Sequence, residues 1–64
     1  MVCAKIIALR TIYEKKESCR QEFLERISYT PREMTAVMNK VCDDTNFCNW
    51  IEAAIPMMHV VEDI

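Results

Sequence analysis

The sequence predicts an all-α protein, with a long N-terminal amphipathic helix followed by a two-helix hairpin and assembled as a homodimeric helical bundle. Three observations point there. The 64 residues contain no glycine, and hairpins with primed turns need glycine for positive φ, which argues against a multi-stranded β fold. Apolar residues recur at helical spacing along most of the chain. Hydrophobic residues also make up 52% of it, a surplus for a chain that buries only about 60% of its unfolded surface. Small cores of this kind draw on a metal, disulfides or a second subunit, and the apolar surplus points to the subunit.

The first helix is predicted over residues 3–28. Val2, Ile6, Leu9, Ile12, Tyr13, Cys19, Phe23, Leu24 and Ile27 fall on one stripe ~140° wide at helical periodicity. Glu14, Glu17, Glu22 and Glu25 cluster on the opposite side. The stretch Glu14-Lys15-Lys16-Glu17-Ser18 is wholly polar, and Lys16 and Arg20 lie along the apolar stripe. Either the helix breaks there, or two cations lie on its hydrophobic face with their stems buried and their heads in water. Such cations could also meet an acidic partner, including this chain's own tail.

The second helix, residues 31–42, carries a nearly complete start signal. Thr30 can cap it, Pro31 takes the first helical position, and Glu33 completes a capping box, while Tyr29 and Met34 occupy the positions of a hydrophobic staple. Met34, Val37, Met38 and Val41 then mark the buried face. Asp43-Asp44-Thr45-Asn46 supplies a turn, with Asp44 or Thr45 as cap for a third helix over residues 46–55. There Phe47, Trp50, Ile51, Ala54 and Ile55 repeat the spacing, and Pro56 ends or kinks the helix. Residues 57–64 are apolar for five positions and then acidic, and are read as a last helical turn or an extended arm over a neighbouring subunit.

Charge is unevenly placed. Residues 1–40 hold eight bases against five acids, a net of +3, and residues 41–64 hold five acids and no base, a net of −5. That polarity favours head-to-tail association with another copy or with a basic surface. The four cysteines form no Cys-x-x-Cys, so neither a zinc knuckle nor a redox motif is indicated. Val2–Leu9 is short, interrupted by Lys5 and lacks a cleavage site, which argues against a signal peptide. The expectation is a cytoplasmic protein whose reduced cysteines serve mostly as small core residues. No apolar run reaches the ~20 residues of a membrane span.

Chemistry is hard to find. His59 is the only histidine, with no cysteine or carboxylate at a metal-ligand spacing, and Ser18 and Ser28 have no base nearby in sequence. No cofactor, metal or small-molecule substrate is indicated, and an enzyme is the class with least support. A helix-turn-helix reading of residues 31–55 is the main alternative. Its recognition helix would contain Asn46, Asn49 and Glu52 but no Lys or Arg, so nucleic acid is disfavoured. The sequence therefore reads as a small non-enzymatic interaction or regulatory module, of inhibitor or adaptor type, binding itself and another protein. A self-assembling structural subunit is the second alternative. The expected contact surface comprises Ile6, Leu9, Tyr13, Lys16, Arg20, Phe23, Ile27, Phe47, Trp50 and Ile51, with the methionines adding adaptable apolar area.

Overall fold

The computed structural model describes residues 2–62. Helix α1 spans Val2–Tyr13, α2 Glu17–Leu24, α3 Pro31–Lys40 and α4 Thr45–Ala54, and a 3-10 turn covers Ile55–Met57. Two short strands, β1 (Ser28–Tyr29) and β2 (His59–Val60), pair in parallel. The protein is mostly helical, as the glycine-free composition predicts. α1 packs against α2, α3 and α4 and is the hub of the fold.

The core forms where the helical spacings predict it. Leu9, Val37 and Ile51 have no exposed surface, and Ile12, Leu24, Met34, Val41, Phe47, Ala54 and Met58 are buried around them. Each fully buried side chain of this size contributes about 1.5–3 kcal/mol. No side-chain polar atom is left buried without a partner among the described residues.

The first helix, expected over residues 3–28, breaks at the polar run, one of the two alternatives read there. α1 stops at Tyr13, and Lys16 is extended (φ −59°, ψ 142°) before α2 starts at Glu17. The polar run at residues 14–18 has nothing to bury, and α2 folds back to pack against α1. Arg20 holds the corner. Its Nη2 donates to the carbonyl of Tyr13, the last residue of α1, at 2.9 Å, an acceptor that a helix end leaves unpaired, and its Nε to the Lys15 carbonyl in the connection at 3.1 Å. The break also shifts the helical phase, so Cys19 is exposed instead of lying on a continuous stripe. Cys3 and Cys42 are exposed too, and only Cys48 is partly buried. The cysteines are thus not core residues for the most part.

α3 starts as its sequence signal predicts. Thr30 Oγ1 accepts from the Glu33 N–H at 3.1 Å, and Glu33 Oε1 accepts from the Thr30 N–H at 3.3 Å. Losing such a cap typically costs about 1 kcal/mol. Thr30→Ala should lower stability by that amount in a denaturant titration, and an unchanged midpoint would remove the box as a determinant.

Asp44 caps α4, one oxygen accepting from the Phe47 N–H at 3.1 Å and the other from Arg10 Nη1 at 3.1 Å. The cap bond and the guanidinium together hold its carboxyl below the ordinary value of 3.8. A carboxyl depressed in the folded state stabilises above its unfolded pKa, and that contribution is lost as pH falls through the folded value. The parent should therefore lose stability below about pH 4 more steeply than Asp44→Asn, which keeps a capping oxygen without the charge. Identical acid-melting curves for the two would rule Asp44 out. The Arg10–Asp44 pair also joins the basic front of the chain to its acidic back within one molecule.

Pro56 ends α4 as expected, converting its last residues to the 3-10 turn. The tail then takes the extended of the two expected forms, but lies along its own chain. The His59 N–H donates to the Ile27 carbonyl at 2.9 Å and the Val61 N–H to the Tyr29 carbonyl at 2.7 Å. Residues 27–29, assigned by periodicity to the end of the first helix or its following linker, thus carry the partner strand β1 and its acceptor carbonyls. The remainder of the predicted tail, residues 63 and 64, lies outside the described residues.

Candidate interaction surface

The first helix delivers Tyr13 at its C-terminal end, and α4 delivers Phe47 and Trp50 three residues apart on one face. The Phe47 and Trp50 rings stack with centroids 6.0 Å apart, and Tyr13 tilts against both at 5.2 and 5.0 Å. Two guanidinium groups flank the cluster. Arg10 lies 4.9 Å from the Phe47 centroid and 5.4 Å from that of Tyr13, while Arg20 lies 5.4 Å from Tyr13 and 5.9 Å from Trp50. Cations over ring faces are attracted by the ring quadrupole, by about 0.5–1 kcal/mol at partly exposed sites. Phe23 is treated similarly, between Lys15 at 4.5 Å and Arg26 at 6.0 Å.

Between α2 and α4 runs a groove of about 190 Å³. Trp50, Leu24, Ala53 and Met57 supply its apolar walls, and Arg20, Glu17 and Gln21 supply polar ones. It is smaller than a typical small-molecule pocket of about 300–1,000 Å³, and its size suits one inserted side chain. Arg20 is partly committed here by its two backbone bonds, so its ring-facing plane is held in place.

The ten residues expected at a contact surface divide into three groups. Leu9, Phe47 and Ile51 are buried in the chain's own core at 0, 2 and 0% exposure, so they hold the fold and present nothing outward. Ile6, Tyr13, Phe23, Ile27 and Trp50 are half-buried against that core. Lys16 is exposed at the corner and Arg20 is half-buried. The structure brings Arg20 and Trp50 together in the groove, with Tyr13 and Phe47 behind them, and leaves Ile6, Lys16, Phe23 and Ile27 outside its walls. Sequence reasoning missed Ala53 and Met57. Ala53 lies three residues beyond Trp50, a spacing that places it on the same helical face. No local pattern signals Met57, which reaches the groove through the turn at Pro56.

Cys48 is partly buried. Its thiol lies 3.2 Å from the Val41 carbonyl, and burial pushes its pKa up, so the nucleophilic thiolate is disfavoured. Among the described residues no cluster of three or more His, Cys, Asp and Glu is arranged to hold a metal, and no helix is long and apolar enough to cross a membrane. Compared with known proteins, the chain matches no family model, and neither a curated protein nor a solved structure matches it.

Proposed function

We propose that this chain is a non-enzymatic protein-interaction module of the inhibitor or adaptor type, and that its α2–α4 groove receives an apolar side chain of a partner protein. The reading rests on one observation, the pairing of Trp50 with Arg20 on the wall of an open groove. Trp and Arg are the residue types most enriched among the few positions that dominate binding energy. Both are held in position before any partner arrives, Trp50 by its ring neighbours and Arg20 by backbone carbonyls, so less ordering remains at the moment of binding. The helix-turn-helix alternative gains nothing from the geometry, because α4 carries no Lys or Arg and is preceded by Asp43 and Asp44.

Ala53→Arg tests the reading without touching the core, since Ala53 is exposed. The 64-residue protein immobilised on resin should retain one stoichiometric protein from its own cell, at high as well as low salt. Ala53→Arg should lose that protein while keeping the parent's helical circular dichroism. Equal retention by the variant would move the contact elsewhere. Retention of nucleic acid that falls steeply with salt would favour the DNA-binding alternative instead.

A further inference from the structure

We propose that β2 is a docking edge for a second copy of this chain, added antiparallel about a two-fold axis at Val60, so that two ladders join into one four-stranded sheet. The surface is separate from the α2–α4 groove and does not depend on it.

The two edges of the ladder are not alike. The bonds His59 N–H to Ile27 carbonyl and Val61 N–H to Tyr29 carbonyl turn residues 59 and 61 toward β1. Peptide groups alternate along a strand, so the N–H and C=O of Val60 turn to the opposite, outer edge. On β1 the outward carbonyl is that of Ser28, and Lys5 Nζ donates to it while also pairing with Glu33 at 3.9 Å. A lysine laid across a sheet edge is a standard block to strand addition. One edge is guarded and the other is open.

The open edge is also where the apolar surface is exposed. Of the four large hydrophobic side chains that stand exposed among the described residues, Met57, Val60 and Val61 fall within five residues, at 45, 60 and 48%. Beside them Val60 and its register partner Tyr29 line a groove of about 390 Å³ together with Met34, Met38 and Ile55. An antiparallel two-fold would place Val60 against Val60 of the second copy, exchanging two backbone hydrogen bonds. It would also set Tyr29, Val60, Val60 and Tyr29 in one row across the sheet, the aromatic and β-branched pairing that stabilises sheets. The two apolar grooves would then adjoin on the same face.

For a second copy, charge selects the direction. With Val60 on the axis, Glu62 of one copy lies opposite Met58 of the other, and His59 opposite Val61. The two Glu62 carboxylates sit four residues apart, ~14 Å along the strands, beyond the ~8 Å screening length at physiological salt. A parallel arrangement would instead set Glu62 beside Glu62, and like charges directly opposite destabilise a pair.

Sedimentation equilibrium of the full chain, with reductant present, tests the proposal. The wild type should show a reversible monomer–dimer equilibrium. Val60→Lys, which places like charges across the axis, should weaken dimerisation at least about tenfold. A synthetic chain N-methylated at Val60 keeps every side chain but loses the outward N–H, and should weaken it comparably. Both should retain the parent's circular dichroism, since Val60 is exposed in the monomer. A wild type that remains monomeric to about 1 mM overturns the proposal. So does an N-methylated chain that dimerises as well as the parent, which would show apolar contact without strand addition.

Discussion

Leu9→Ala is expected to cost about 3–5 kcal/mol and to leave the chain largely unfolded at physiological temperature. Leu9 has no exposed surface and sits in the helix that packs on all three others. Truncating it removes the transfer free energy of the lost atoms and opens a cavity that α2, α3 and α4 cannot all collapse into. A domain of this length has a total stability of only about 3–10 kcal/mol, so the loss is comparable with the whole. Ile7, 66% exposed on the same helix, is the matched control, and Ile7→Ala should change stability by less than about 0.5 kcal/mol. Thermal melts followed at 222 nm decide the matter. A Leu9→Ala melt within a few degrees of the parent would mean that α1 is not the centre of the fold.

The second large effect is expected at Arg20. Its guanidinium serves the Tyr13 and Lys15 carbonyls and lies over the Tyr13 and Trp50 rings at the same time. Hydrogen bonds from charged donors contribute about 1.5–3 kcal/mol when buried. Here water can reach part of the vacated site, so Arg20→Ala should cost about 2 kcal/mol. Arg20→Lys should recover less than half of that, because an ammonium is a point charge without the rigid fork that reaches two acceptors. Denaturant titrations of the three proteins give the energies. Trp50 is the only tryptophan, so its fluorescence reports the corner directly. A lysine variant as stable as the parent would show that charge alone, rather than the fork, holds α1 to α2.

Much of this architecture was legible in the residues, for local reasons. Helix starts are written in short motifs, and Thr30-Pro31-Arg32-Glu33 and Asp44 both act as caps where their chemistry places them. Buried faces follow periodicity, so Met34, Val37, Phe47, Ile51 and Ala54 are all inside. The errors arose where distant parts of the chain decide a local outcome. The polar run at residues 14–18 is compatible with a straight helix or a corner. What selects the corner is a set of acceptors and rings that Arg20 meets only once α2 has folded back. Ser28–Tyr29 and His59–Val60 are too short to show alternation, and their pairing spans 31 residues in register. A two-residue strand has no sequence signature of its own.

The same limit explains the contact surface. A stripe of apolar residues on a helix does not say how much of its width the chain will cover by itself. Leu9, Phe47 and Ile51 were absorbed by the core, whereas Trp50 kept an open side because the short α2 leaves a groove beside it. Arg10 bears on the Phe47 ring and Arg20 on the rings of Tyr13 and Trp50, each from another helix, juxtapositions that no spacing rule within one helix could supply.

No described residue of this chain adopts positive φ, and that bears on its unfolded state as much as on its folded one. Glycine gives up more backbone freedom on folding than any other residue, and replacing one by alanine at a negative-φ position stabilises by about 0.4–1 kcal/mol. At the usual frequency of about 7%, a chain this long would carry roughly four glycines. Doing without them narrows the unfolded ensemble by about 2–4 kcal/mol, which is of the same order as the stability a core this small can supply. The turns at Lys16, Glu25 and Val41, each closed at negative φ, therefore reduce the entropy that the small core must offset.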